Sequence, residues 1–287
     1  MNIDFIKMQG TGNDFIMIDD LELTCNDYSE IASIVCDRHF GIGGDGLIVN
    51  IPLKDKTVDY EMKIFNSDGS EAEMCGNGIR CFTHYLRTFK GIAKNNFNIK
   101  TLAGIIKSEI IDYKPKRSLV KVDMGSPSFL SKDIPITVEK ETTVVEDYTI
   151  SINDQQFSIN CVSMGNPHCV IFVKNTSKYL AKKWGPAIEK HHLFPENTNV
   201  EFIEIMNDSK IKMEVWERGS GRTLACGTGA CASAVMGIKK DFLNKKVKVE
   251  LPGGNLDIEW TGENVMMSGP AETVFKGSLS LDGVVES

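Results

Sequence analysis

Two short stretches of the chain share one chemistry-bearing pattern, Cys75-Gly76-Asn77-Gly78 and Cys226-Gly227-Thr228-Gly229. Each opens a run with helical spacing: Ile79, Phe82, Leu86 and Phe89 follow the first, and Cys231, Val235 and Ile238 follow the second. A thiol there sits at a helix start, where backbone N–H groups lack intrahelical acceptors and about +0.5 of charge accumulates. That setting is expected to lower the thiol below its ordinary pKa of about 8.5. The glycines admit close backbone approach, so the amides of Gly76-Asn77 and Gly227-Thr228 suit a carboxylate. A thiolate on one face of an α-carbon and a thiol on the other can invert a stereocentre. One removes the α-proton and the other returns a proton from the opposite side. Amides and helix ends would stabilise the charge that develops on the carboxylate. The inferred reaction is racemisation or epimerisation of an amino acid, with no cofactor and no metal.

The elements that must position these thiols come as a repeat. Met62 to Phe65 matches Met213 to Trp216, and Cys75 matches Cys226, both at an offset of 151 residues (62 to 213, 75 to 226). Upstream, Gly12-Asn13 echoes Gly165-Asn166 at an offset of 153 (13 to 166). Two echoes in the same order indicate duplication. Tyr60, Met62 and Ile64 alternate with charged residues as a half-buried strand does, and so do Ile211, Met213 and Val215. Further strands are expected over 119–124, 247–251 and 256–260. The fold class expected is α/β (α+β): two strand-rich, pseudo-symmetric halves, each with a central helix, and the active site in the cleft between them. The halves are 1–124, carrying Cys75, and 125–271, carrying Cys226, with the seam near Gly125-Ser126-Pro127.

Composition narrows the alternatives. The chain has 287 residues with 41% hydrophobic and 25% charged, which excludes disorder, collagen and coiled coil. Its net charge of −7 makes it a poor general nucleic-acid binder, so any anionic substrate is held by local groups. No apolar run approaches the ~20 residues of a membrane span, and the first residues lack the features of a signal peptide. Its eight cysteines, with no Cys-x-x-Cys pair, are therefore expected to be free thiols in a reducing cytoplasm. Cys25, Cys36, Cys81, Cys161, Cys169 and Cys231 read as small packing residues. Gly41-Ile42-Gly43-Gly44-Asp45-Gly46 satisfies a dinucleotide-loop spacing, but it follows a helical pattern (29–40) and leads into a strand, the wrong context. His191-His192 reads as a solvated or capping pair, since no third metal ligand stands at a telling spacing.

Seven segments, in order from residue 8 to 229, resemble the diaminopimelate epimerase family. They are Met8–Phe15, Gly41–Gly46, Phe65–Gly69 with Met74–Cys81, Gly165–His168, Asn197–Val200, Trp216–Gly219 and Ala225–Gly229. The resemblance implies conversion of LL-diaminopimelate to the meso isomer, in lysine and cell-wall precursor biosynthesis, without pyridoxal phosphate or metal. It implies Cys75 and Cys226 as the acid/base pair, with His168 and Glu217 tuning their protonation. Gly76, Asn77, Gly227 and Thr228 would hold the reacting carboxylate. Asn13, Asn66, Asn166, Asn199, Glu217 and Arg218 would line the rest of the site. Each half would be a mostly antiparallel sheet wrapped around its helix, with a final segment (272–287) returning to the first half. A homodimer is also implied. One departure stands out: many members have Gln where this chain has Gly46, so that substrate contact is lost here or made by water or a neighbour.

These residue types suit a substrate with two amino-acid ends. Arg218 offers a planar, bidentate cation to the distal carboxylate, and Asn amides with Glu217 accept from the distal ammonium. The nearest rival, a proline-type racemase of the same two-half fold, has no use for such a distal site. A rival of another class, a thiol redox or metal-binding protein, predicts bound zinc or a functional thiol potential.

Overall fold

Ile3 and Phe5 are buried while Asn2 and Asp4 face out, and this period of two makes the first strand, β1 (Asn2–Gly10). The computed structural model describes residues 2–21, 23, 25–53, 58, 60–138 and 143–280. After β1 come β2 (Asn13–Asp19), α1 (Cys25–Val35), β3 (Gly46–Pro52), β4 (Tyr60–Asn66) and the short β5 (Glu71–Ala72). Then follow α2 (Gly76–Thr88), β6 (Asn96–Thr101), β7 (Gly104–Lys114) and β8 (Arg117–Asp123). The next stretch holds β9 (Tyr148–Ile152), β10 (Gln155–Ser163), β11 (Pro167–Phe172), α3 (Lys178–Glu189), β12 (Asn199–Asn207) and β13 (Lys210–Trp216). It ends with α4 (Gly227–Lys239), β14 (Lys246–Leu251), β15 (Gly254–Trp260) and β16 (Val265–Ser280). The chain divides into two units, Met1–Asp123 with Ser268–Ser287, and Met124–Met267. Of the expected returning segment, residues 272–280 belong to β16, and 281–287 lie outside the described residues.

In the first unit the strands run β1-β2-β3-β4-β6-β7-β8, and β8 neighbours β16. The last part of β16 pairs antiparallel with β1, from Gln9↔Glu272 to Asn2↔Ser280, which closes the sheet. Among the described residues, β2–β3 and β4–β6 pair in parallel, while β1–β2, β3–β4, β6–β7 and β7–β8 pair antiparallel, so the sheet is mostly antiparallel. The second unit runs β9-β10-β11-β12-β13-β14-β15-β16, with β11–β12 and β13–β14 parallel. The duplication is visible in the register. Phe15 pairs with Gly46 across β2–β3, and His168 pairs with Asn199 across β11–β12. Each partner is shifted by 153 (15 to 168, 46 to 199). This is a mixed α+β fold of two similar halves.

The helix inside each sheet is buried on every side. α2 packs against β1, β2, β3, β4, β7 and β8, and all its residues from Gly76 to Leu86 are buried. α4 packs against β10 to β15 in the same way. An apolar stripe on one face does not explain this. In α4 the other faces carry Ala230, Ala232, Ser233 and Ala234, small enough for strands on all sides. In α2 they carry polar groups with buried partners: Thr83 bonds Ser108 (2.7 Å), His84 bonds Ser118 (2.7 Å), and Arg80 bonds Thr11 and the Pro270 carbonyl. The outer helices cover the opposite sheet faces. Tyr28, Ile31 and Val35 of α1 join Ile16, Ile18, Leu47 and Val49, while Ala181 and Ile188 of α3 join Cys161, Cys169 and Ile171.

One boundary differs from the sequence pattern. The helix over 29–40 ends at Val35. Its terminal carbonyls are taken by the following loop, since the N–H groups of Ile42 and Gly43 both donate to Val35 O. The chain folds back closely enough that a Cβ on Gly41 would lie 2.3 Å from the Ile34 carbonyl. The glycine-rich segment is thus a helix-ending wrap. Among the described residues, no helix is long and apolar enough to cross a membrane.

Candidate active site

Cys75 is the N-cap of α2. Its backbone is extended (φ −141°, ψ 115°), and its Sγ accepts the N–H of Gly78 at 3.4 Å. Sulfur here fills the role usually given to a Ser, Thr, Asp or Asn oxygen. Asn13 stands beside it at the start of β2, placed by a turn in which Thr11 and Gly12 have positive φ (56° and 83°). Asn13 Oδ1 lies 3.8 Å from Cys75 Sγ and accepts from Asn77 Nδ2 at 3.1 Å. Its own Nδ2 donates to Asp45 at 2.7 Å. Asp45 and Asp14 share Arg38, and Asp14 also pairs with buried Lys7 at 2.6 Å. Burial pushes Asp14 up, but hydrogen bonds from Arg38 and Lys7 outweigh it and hold this carboxyl at about 2. Asn77 is buried, whereas Asn66 is exposed and turned to Ser70 in its own loop (3.0 Å).

Gly46 sits close against the neighbouring strand. A Cβ there would lie 2.7 Å from the Phe65 carbonyl of the neighbouring strand. The register counterpart, Asn199, does keep a side chain. Its Nδ2 donates to Pro167 O at 2.8 Å, and its Oδ1 accepts the Arg218 N–H at 3.0 Å.

In the second unit Cys226 caps α4 in the same manner, with extended backbone (φ −116°, ψ 113°) and Sγ accepting the Gly229 N–H at 3.3 Å. Thr228 Oγ1 lies 3.5 Å from Sγ and accepts from Asn166 Nδ2 at 3.3 Å. Asn166 Oδ1 lies 2.9 Å from His168 Nε2, and His168 Nδ1 lies 2.7 Å from Glu201 Oε1. Glu217 is half-buried and accepts from the Thr223 hydroxyl. Burial raises its pKa, against the lowering effect of hydrogen bonds from Thr223 and Cys226. Arg218 is exposed, its guanidinium reaching the Glu196 carbonyl at 3.4 Å.

The structure overturns one expectation. The Cys226 thiol is raised well above its ordinary value, by burial first and then by Glu217 and Glu201. The cap bond from Gly229 and the bond from Thr228 lower it, but they do not prevail. A helix end lowers a thiol when solvent or cations share the work; here two carboxylates stand in a dry site.

Within each unit the structure gathers expected residues. Cys75, Asn77 and Asn13 form one cluster, and Cys226, Thr228, Asn166 and His168 form another, with Glu217 beside Cys226. Three residues escaped the sequence. Glu201 is a fully buried carboxylate in β12, between Val200 and Phe202, and a charge inside so apolar a strand was the available signal. Glu189, at the end of α3, accepts from Trp216 Nε1 (2.7 Å) and Gly219 N (2.9 Å) and so pins both ends of the Glu217-Arg218 segment. Asp45 lies inside the glycine-rich loop, whose spacing resembles a phosphate loop and carries no sign of the carboxylate that holds Asn13.

The family model for diaminopimelate epimerase matches residues 5–130 and 160–274. The diaminopimelate epimerase of Halothermothrix orenii is 52% identical over 279 residues, covering 97% of this chain and 98% of that one. That of Carboxydothermus hydrogenoformans is 48% identical over 283 residues, covering 97% and 100%. Among solved structures, a hydroxyproline epimerase from Agrobacterium vitis superposes with a TM-score of 0.72 at 13% identity, covering 98% of this chain and 93% of that one. A Bacillus anthracis protein of the PhzF family gives 0.67 at 19% identity, covering 98% and 99%. These last two share the fold. With both halves matched by one family model and near-half identity along almost the whole length, the chain belongs to the diaminopimelate epimerase family.

Proposed function

We propose that this chain interconverts LL- and meso-diaminopimelate by a two-base mechanism in which Cys75 and Cys226 exchange the α-proton. The observation that carries this is the repeated cap: in each unit a cysteine, in extended backbone at the N-terminus of a buried helix, accepts the N–H of the second glycine of Cys-Gly-x-Gly. Inversion without a cofactor needs a base on one face of the carbon and an acid on the other, and duplication supplies one sulfur per half. Burial first, then Glu217 and Glu201, raise the Cys226 thiol and so favour its protonated form while the other thiol acts as base. The thiols trade roles in the reverse direction.

Charge spreads onto the substrate carboxylate as the proton leaves. Backbone amides of Gly76-Asn77 and Gly227-Thr228, at helix ends, suit that charge, and preorganised donors of this kind contribute about 3–4 kcal/mol each to a transition state. Arg218 binds the distal carboxylate, and Asn66, Asn166, Asn199 and Glu217 serve the distal amino-acid end. A site with such groups rejects amino acids lacking the distal end, because its polar atoms would be left unpaired. Residence in a reducing cytoplasm follows from the need for two free thiols, and a homodimer from the family resemblance; light scattering at about twice 31.8 kDa checks the latter.

The test is α-hydrogen exchange in deuterated water with LL-diaminopimelate, followed with stereochemical analysis. Wild type incorporates deuterium on inversion. Cys75→Ser and Cys226→Ser each lose about 10²–10⁴-fold in epimerisation. Arg218→Ala raises KM about 10–100-fold, as loss of a charged hydrogen bond requires. Epimerisation that survives either cysteine change overturns the mechanism, and an unchanged KM in the Arg218 variant overturns the substrate assignment.

A further inference from the structure

Resting on the epimerase reading above, we propose that Glu201 is a positioning residue for the second thiol: it shares a single proton with His168 and thereby fixes the hydrogen-bond chain through Asn166 and Thr228 that ends on Cys226. Glu201 and His168 are both fully buried, with Oε1 2.7 Å from Nδ1. Glu201 Oε2 has no hydrogen-bond partner among the described residues. A carboxylate in that state is costly to bury, so packing alone does not account for it. It also lies against the cap itself: a Cβ on Gly229 would meet Glu201 Oε1 at 2.7 Å and Cys226 Sγ at 3.2 Å.

Donor and acceptor logic fixes the proton. Asn166 Nδ2 donates to Thr228, so Oδ1 is the acceptor facing His168 Nε2, and Nε2 must carry hydrogen. Between Nδ1 and Oε1 there is then one proton, written either as imidazolium with carboxylate or as imidazole with carboxylic acid. Both forms are neutral overall, and both keep Nε2–H pointed at Asn166. Were Glu201 a bare acceptor of Nδ1–H from a neutral ring, Nε2 would become an acceptor and the Asn166 amide would turn over, presenting oxygen to Thr228. The shared proton thus sets the polarity of the bonds from His168 to Asn166 and on to Thr228, whose hydroxyl lies 3.5 Å from Cys226 Sγ. The titratable groups facing this pair are Glu217, Cys226 and Cys169. Among the described residues, the first half shows no matching His–Glu pair at these positions. The counterparts of His168 and Glu201, at the same offset of 153, are Phe15 and Ile48 (15 to 168, 48 to 201), and Asn13 is held instead by Asp45.

The test uses the whole chain, without substrate. In protein labelled with ¹⁵N-histidine, His168 at neutral pH is expected to show hydrogen on Nε2 and a hydrogen-bonded Nδ1. Glu201→Gln keeps the shape, and its amide donates to Nδ1, so the ring becomes a plain neutral imidazole. Because the pair is neutral before and after the change and Nε2–H still faces Asn166, the pH midpoint for peptide-resolved alkylation of Cys226 by iodoacetamide is expected to stay within about 0.3 unit of wild type. A wild-type spectrum with a bare, accepting Nε2 overturns the proposal. So does a Glu201→Gln protein whose midpoint falls by about one unit or more, since that would reveal an unshared negative charge on Glu201 beside Cys226. If that variant does not fold, the wild-type spectrum decides alone. Neither readout needs diaminopimelate, so failure here is distinct from failure of the substrate assignment.

Discussion

Gly78 and Gly229 close the same cap in the two halves but meet different walls. A Cβ on Gly78 would touch the methyl ends of Ile48 and Ile64, at 3.1 and 3.3 Å. On Gly229 it would strike the carboxylate that His168 holds in place. Alanine in place of helical glycine gains about 1 kcal/mol, which the isoleucine ends can nearly preserve. Gly78→Ala is therefore expected within about 1 kcal/mol of wild type, and Gly229→Ala to lose about 1–3 kcal/mol through overpacking, by urea denaturation of both. Equal effects would mean that the two walls yield alike. At this scale the paired cysteines were legible because sequence records repetition directly. The raised Cys226 thiol was not, since it depends on Glu201 and Glu217, 25 and 9 positions away in sequence (201 and 217 to 226), folding against one sulfur.

Helices α2 and α4 show what periodicity can and cannot reveal. Spacing of Ile79, Phe82 and Leu86 marked a helix, and the observed α2 contains them all. That strands surround it is written only in residues that look unsuited to a core, such as Arg80, Thr83 and His84, whose partners come from distant strands. Burial lowers His84 from 6.5 to about 4. The unfolded ring takes a proton near pH 6.5 and the folded ring only near 4, so its contribution is complete above 6.5 and is lost as pH falls through that window. Wild type is expected to lose about 3 kcal/mol more than His84→Gln between these two pH values, measured by urea denaturation at each. Parallel losses would show that the ring does not carry the acid sensitivity.

At the scale of the molecule, duplication explains why a chain of this length has two of nearly everything: central helix, outer helix, thiol cap and sheet register. The exception is β16, which belongs to the second unit at Val265 and to the first from Ser268 onward. No local pattern in the sequence says that residues 272–280 lie beside residues 2–9. Only the family resemblance supplied the return, because strand partners far apart in sequence leave no mark in periodicity. Truncation after Ala271 is expected to strip β1 of its β16 partner, with hydrogen-exchange protection on that edge falling by about two orders of magnitude while α4 keeps its own. Retained protection in β1 would mean that the sheet holds without its last strand.

That closing strand also sets a schedule for biosynthesis. Asn2 precedes its ladder partner Ser280 by most of the two units, so a ribosome releases the one long before the other. Until then the nascent amino-terminal half carries a bare strand edge, the kind of surface that recruits wrong neighbours. The half translated first is the half finished last.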